Sequence, residues 1–343
     1  MNEGINFIAK LDAIGEIKSK LVFKGEDTTD PSYGFYPWER PLGEHIRLGV
    51  INLDKPPGPT SHEVVAWVKR MFALSKAGHG GTLDPKVSGV LPVALENATK
   101  VISSVVHTGK EYICVMELHG QVSDDELYSV VKMFTGKIFQ RPPLRSSVKR
   151  SLRIRTIHYI DVLERDNKHV LLRVGCEAGT YIRKLVYDMG LILGVGAHMR
   201  ELRRTRAGPF KEDDTLTTLQ ELSEAKYRFE VEGRDDLLRR KILPVEYAVS
   251  HLKKVVIRDS AVDAIAHGAN LAIPGIIALH ENINKRDLVA IMTLKGELVA
   301  LGTALMNTTQ ILTLDKGIAV KTKRVVMKTG LYPRAWGSLK SER

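Results

Sequence analysis

The 343-residue sequence predicts an α+β core followed by a small β-barrel-like module, on three observations. Strand-like and helix-like periodicities interleave irregularly over residues 47–250, unlike the regular alternation of a doubly wound sheet. From about Lys253 to Met327 the texture changes to short β-type runs separated by Gly268, Gly275, Gly296, Gly302 and Gly317. At about 150 residues per domain the length leaves room for roughly two domains.

Residues 1–46 are polar, mixed in charge and punctuated by Asp30-Pro31, Gly34, Pro37 and Pro41, and so read as an extended arm with little core of its own. Its aromatic set, Tyr33, Phe35, Tyr36 and Trp38, suits lying along another surface. Residues 47–250 then carry the main domain. Leu48 to Leu53 is a short β-type run ended by the turn Asp54 to Pro59, after which Thr60 and Ser61 can cap a helix striped by Val64, Val65, Trp67, Val68 and Met71. Beyond the Gly-rich segment Lys76 to Pro92, strands are expected at Tyr112 to Leu118 and Val170 to Val174. Helices are expected at Asp124 to Phe134 and Arg183 to Leu193. The charged, aromatic-poor stretch Glu221 to Arg240 reads as one solvated helix. Residues 251–329 form the second module, with strands expected at Val255 to Ile257, Leu288 to Thr293, Leu298 to Thr303 and Ile318 to Val320. Residues 330–343 form a tail.

Lys and Arg total 51 against 40 Asp and Glu, a net charge of +11, which points to a polyanionic partner such as nucleic acid. The two cysteines, Cys114 and Cys176, are far apart and without C-x-x-C spacing, which argues against a disulfide framework and against a cysteine zinc site. Met1 to Lys24 lacks the uninterrupted apolar stretch of a signal peptide, and no apolar run approaches the roughly 18 residues of a membrane span. A soluble, cytoplasmic protein without metal, cofactor or membrane partner is the expectation.

Three groups of residues could carry chemistry. In Gly78-His-Gly-Gly-Thr-Leu-Asp84-Pro85, three glycines permit a tight loop, so that Asp84 projects into a cleft or simply caps a surface turn. His79 is placed to support a phosphate or sugar contact, or to pack. In Gly179-Thr-Tyr-Ile-Arg183, a strand would put Tyr181 and Arg183 on one side. An Arg beside a loop carboxylate would keep it ionised and aimed, or form an ordinary surface ion pair. Two basic segments, Arg141, Arg145, Lys149, Arg150, Arg153 and Arg155 in one, and Arg200, Arg203, Arg204, Arg206 and Lys211 in the other, suit phosphate contact or a solvated face.

Taken together, the motifs identify a family. Gly80-Gly-Thr-Leu-Asp84-Pro with Gly89-Val-Leu-Pro92 after it, Leu53-Asp-Lys-Pro56 before it, and Lys110-Glu-Tyr112 and Gly179-Thr-Tyr-Ile-Arg183 further on resemble, in order, the TruB-type RNA pseudouridine synthases. Arg141-Pro-Pro-Leu-Arg-Ser-Ser-Val-Lys-Arg150, Gly194-Val-Gly-Ala-His198 and Glu201-Leu-Arg-Arg-Thr-Arg206 are closer to the archaeal and eukaryotic dyskerin branch. Asp259-Ser-Ala-Val262, His267-Gly268 and Pro274-Gly275 resemble a PUA domain.

The resemblance implies a mixed-sheet catalytic domain that isomerises uridine in RNA to pseudouridine without a cofactor. Asp84 matches the essential aspartate, acting at C1′ as nucleophile or through a glycal. Tyr112 matches the tyrosine that stacks on the base and takes the C5 proton, Arg183 the partner of the aspartate, and Tyr181 and Leu202 match pocket residues. The target uridine must be flipped out of its stack. The dyskerin-like features imply an archaeal catalytic subunit of an H/ACA ribonucleoprotein. Its partners would be an H/ACA guide RNA, rRNA or tRNA substrates and small accessory proteins, with the PUA domain on the guide's lower stem and ACA. The rival reading is a noncatalytic RNA-binding scaffold of ribosome biogenesis. Asp84, Tyr112, Tyr181 and Arg183 together argue against it.

Overall fold

The computed structural model describes residues 3–142 and 151–334. Two sheets dominate. The ten-stranded sheet is mixed, and across it run Leu243–Pro244, Gly49–Lys55, Ser88–Leu95, Ala197–Ala207, Lys110–Leu118, His169–Cys176, Arg153–Asp166 and Gly136–Gln140, with two short strands at the side. All of these pairings are antiparallel except that of Ser88–Leu95 with Ala197–Ala207. At that parallel crossing a Cβ on Gly89 would lie 2.2 Å from the Arg204 carbonyl oxygen, and the φ there is +103°, so only glycine lets the two strands approach.

The helices read from periodicity before residue 200 are present, two of them with a capping box. The strand Gly49–Lys55 is followed by the helix Ser61–Met71. Thr60 accepts from the Glu63 N–H while Glu63 reaches back to the Thr60 N–H. The helix Asp124–Phe134 has the same device at Ser123 and Glu126, and the helix Ile182–Ile192 also forms. These helices bury Val64, Val68, Leu127, Leu185 and Met189 against the first sheet. The stretch from Glu221 to Arg240 departs from the single helix expected. Gly233, at φ +69°, ends a helix Leu219–Glu232, and a second, Asp236–Lys241, follows. A left-handed glycine at a helix C-terminus stops propagation, which charge pattern alone does not reveal.

The seven-stranded second sheet contains the expected strands Lys253–Ile257, Leu288–Thr293, Leu298–Ala304 and Ile318–Val325, together with Ile276–His280. The N-terminal segment differs from an extended arm. It opens with a helix, Glu3–Ile14, whose Ile8 and Leu11 are fully buried, and its strand Leu21–Phe23 pairs with Ile276–His280. Alternating charges had masked a helical stripe with period 3.6. The helix packs into a core shared by both sheets, with Val249, Leu294 and Leu298 among its members. Charged pairs fasten the same junction. Asp12 accepts from Lys254 at 2.6 Å and from His280 Nε2 at 2.9 Å, while the Lys254 N–H donates to His280 Nδ1. Arg40 grips Glu246 with two hydrogen bonds, both side chains buried. Further along, Trp38 meets the Phe7 ring edge-on at 5.1 Å, and the Phe35 N–H donates to Glu297.

Candidate active site

Asp84 lies in the glycine-rich turn between strands Ala77–His79 and Ser88–Leu95. The backbone of this turn is held from several sides. The Ser61 hydroxyl donates to the Leu83 carbonyl at 3.1 Å and accepts from the Leu83 N–H at 2.8 Å. The Lys55 ammonium, fully buried, donates to the carbonyls of Pro56, Pro85 and Val87. Arg204, 1% exposed, donates to the carbonyls of Gly81 at 3.0 Å and Val90 at 2.8 Å. The Gly80 N–H donates to the Pro92 carbonyl at 2.8 Å.

The Asp84 carboxylate itself is 60% exposed and accepts from the Arg183 guanidinium at 3.0 Å. An ion pair this open contributes little to stability. Arg183 stands in the first turn of the helix Ile182–Ile192, and Tyr181 is that helix's N-cap residue. The two are therefore not alternate residues of a strand, as their spacing suggested. The helix start is positioned by Gln140, whose buried side-chain amide donates to the Tyr181 carbonyl and accepts from the Tyr181 N–H.

The floor is formed by strands Lys110–Leu118 and Ala197–Ala207, which place Tyr112 opposite Arg204 and Cys114 opposite Leu202. Directly opposed residues share one face of a sheet, so phenol, guanidinium and Leu202 side chain meet there. Tyr112 is 9% exposed. Burial pushes its phenol up, and the Arg204 guanidinium beside it opposes the shift. Lys110 donates to the carbonyls of Val105, Val106 and Thr108; burial, with the charge of Arg204 added, pushes its ammonium down to about 7. His79 is half-buried, edge-on to His62 at 5.0 Å between ring centroids, and its Nδ1 accepts from the Gly81 N–H at 3.4 Å.

The basic residues separate into distinct environments. Arg141 is exposed and lines a groove with Arg183, Phe139, Leu152 and Tyr187, while Arg153 is half-buried at the head of its strand. Arg145, Lys149 and Arg150 lie outside the described residues. Two of the arginines expected to face phosphates are engaged within the protein. Arg204 points inward to the loop carbonyls, and Arg203, on the opposite face, makes a two-pronged bond to Asp54 and a second pair with Glu212. Adjacent strand residues face opposite ways, so a run of arginines cannot all meet one strand of RNA. Lys55, Lys110, Ser61 and Gln140 were not singled out for the site. Lys55 and Lys110 stand within the motifs themselves, Lys55 as the last residue of the strand Gly49–Lys55 and Lys110 as the first of Lys110–Leu118.

Among the described residues no cluster of three or more His, Cys, Asp or Glu could hold a metal ion, and no helix is long and apolar enough to cross a membrane. Four family models match the chain: the DKCLD (NUC011) domain over 14–65, the TruB family pseudouridylate synthase N-terminal domain over 69–182, the tRNA pseudouridylate synthase B C-terminal domain over 183–250 and the PUA domain over 253–326. The chain is 58% identical over 322 residues to a probable tRNA pseudouridine synthase B of Thermococcus onnurineus, covering 94% of this chain and 96% of the relative. It is similar to a chain of an H/ACA RNP bound to a substrate RNA containing 2′-deoxyuridine, with TM-score 0.89, 55% identity and 94% and 99% of the two chains covered. A chain of a Cbf5-Nop10-Gar1 complex gives TM-score 0.89 and 58% identity, with 94% and 98% covered. With this loop geometry and these relatives along nearly its whole length, the chain belongs to the TruB-type pseudouridine synthase family and carries that family's catalytic domain joined to a PUA domain.

Proposed function

We propose that this chain isomerises target uridines in RNA to pseudouridine as the catalytic subunit of an H/ACA ribonucleoprotein, with a guide RNA choosing the site. The observation that carries the reading is the exposed Asp84–Arg183 pair on a clamped loop, above a floor of Tyr112 and Leu202. Likeness over 94% of the chain to a subunit of an H/ACA RNP bound to substrate RNA supports the guide.

The reaction replaces the C1′–N1 bond of uridine by a C1′–C5 bond. Asp84 acts at the sugar, either attacking C1′ or assisting a glycal, and Arg183 aims the carboxylate. Tyr181 and Leu202 line the pocket, and Tyr112 stacks on the base as it turns. His79 props the loop. Because the scissile bond is shielded within a stacked helix, the uridine enters flipped out. Arg141, Arg145, Lys149, Arg150 and Arg153 would track the RNA backbone. The PUA domain would hold the lower stem and ACA of the guide, and small accessory proteins such as the Nop10 and Gar1 of the related complex would complete the particle. With archaeal relatives, the cytoplasm is where enzyme, guide and rRNA target meet. The name borne by the relatives favours a second activity of the same pocket, on the T-loop uridine of tRNA without a guide.

Mass spectrometry of two RNAs tests this: a tRNA with the protein alone, and a guide-matched target with guide and accessory proteins. Product in the guided target is expected. Silence in both, with RNA still bound, would leave a noncatalytic scaffold.

A further inference from the structure

Arg204 is a fully folded-in cation that the chemistry above does not use. It is 1% exposed, and among the described residues no carboxylate pairs with it. Two of its N–H groups are taken by the Gly81 and Val90 carbonyls, which fixes the guanidinium plane between the Asp84 loop and strand Ser88–Leu95. Across the sheet its direct partner is Tyr112, with the phenol beside it. A buried cation without a counter-ion is costly, and it is tolerated where it stabilises negative charge that develops during function.

We propose that Arg204 is a positioning residue for the proton-transfer step: its guanidinium, held by the Gly81 and Val90 carbonyls, stabilises the Tyr112 oxyanion that takes the proton from C5 of the rejoined base. The proposal rests on the pseudouridine synthase reading. Once C5 has bonded to C1′, the ring holds an N1=C6 double bond and C5 keeps its hydrogen. The C5–H bond then breaks and its electron pair restores C5=C6. The N1=C6 pair returns to N1, which takes a proton from water, while the C5 proton joins the Tyr112 oxygen, whose own phenol proton has first gone to solvent. The net change is one proton moved from C5 to N1. Other groups at the site are occupied. Asp84 works on the sugar, and Lys55 and Lys110 direct their N–H groups at carbonyls. Burial raises the Tyr112 phenol overall and Arg204 offsets part of that rise, so Arg204 eases the loss of the phenol proton that must come before proton transfer from C5.

The test uses the guided ribonucleoprotein in single turnover on a target carrying 5-deuterouridine. Arg204→Lys is the variant, since it keeps the charge but cannot make the same two carbonyl bonds and face the phenol together. The expected result is a rate lowered about tenfold near neutral pH, the scale of one hydrogen bond to a charged group. The deuterium isotope effect should rise above that of the wild type, and the deficit should shrink as pH increases. 3-Fluorotyrosine at position 112, a more acidic phenol, should restore much of the rate. A slow variant with an unchanged isotope effect, the same deficit at every pH and no rescue would overturn the proposal and leave Arg204 as a brace for Asp84. Failure of Arg204→Lys to fold, seen by circular dichroism, would likewise assign the residue to the fold alone. A wild-type particle that forms no pseudouridine would count against the functional reading instead.

Discussion

Around the Asp84 loop, Lys55, Lys110 and Arg204 are buried with backbone carbonyls as their acceptors, and among the described residues no carboxylate pairs with any of them. At the junction of the two sheets, buried charge is instead matched: Arg40 with Glu246, and Lys254 with Asp12, which His280 also approaches. Matched pairs hold elements together and are satisfied before any ligand arrives. Burial pushes the Lys55 and Lys110 ammonium groups down, Lys110 to about 7, whereas the Arg204 guanidinium stays charged, and on the proposal above its potential serves the charge that develops on reaction. The same residue types thus serve closure in one region and chemistry in the other.

The largest effect expected from breaking this contrast is at the loop. Asp84→Asn should lower pseudouridine formation more than about a thousandfold while RNA affinity stays near wild type, because the carboxylate is exposed and only its chemistry is removed. A gel-shift titration showing a large loss of binding would instead make Asp84 a structural residue. At the junction the consequence should be in stability. Glu246→Gln leaves Arg40 buried without its hydrogen-bonded carboxylate, with the more distant Glu297 charge remaining, at a cost of about 3–5 kcal/mol, and a melting curve like that of the wild type would refute the matched-pair account.

His251, half-buried between the turn Val245–Val249 and the strand Lys253–Ile257 and close to the charge of Lys254, should make this region acid-sensitive. Burial pushes the His251 ring down from 6.5 to about 4, so the folded state binds fewer protons than the unfolded chain between those values. Stability is therefore expected to fall by roughly 2–3 kcal/mol as pH drops from 6.5 to 4. Urea unfolding across that range should show the slope, reduced in His251→Leu. Smaller again is the effect expected of Arg203. Tied to Asp54 and Glu212, its replacement by Gln should leave the slope of log affinity against log salt nearly unchanged, against about 0.9 per lost phosphate contact. The least effect concerns the thiols. Burial pushes Cys114 and Cys176 up to about 12, so N-ethylmaleimide at pH 8 should leave native activity intact; rapid inactivation would show that the core opens.

Much of this molecule was legible in its sequence. The helix Asp124–Phe134 followed from its periodicity, the helix Ser61–Met71 from its cap and apolar stripe, and the order of short motifs around Asp84, Tyr112 and Arg183 marked the family. These signals are local, written within a few consecutive residues. Tertiary structure decided which way the long-range pieces face. It turned Arg204 inward to the loop carbonyls and Arg203 outward to Asp54, and drew Gln140 to the helix start at Tyr181. It also folded the N-terminal helix into the core between the sheets. No run of residues encodes those outcomes, because each depends on a strand register or a packed neighbour contributed by a distant part of the chain.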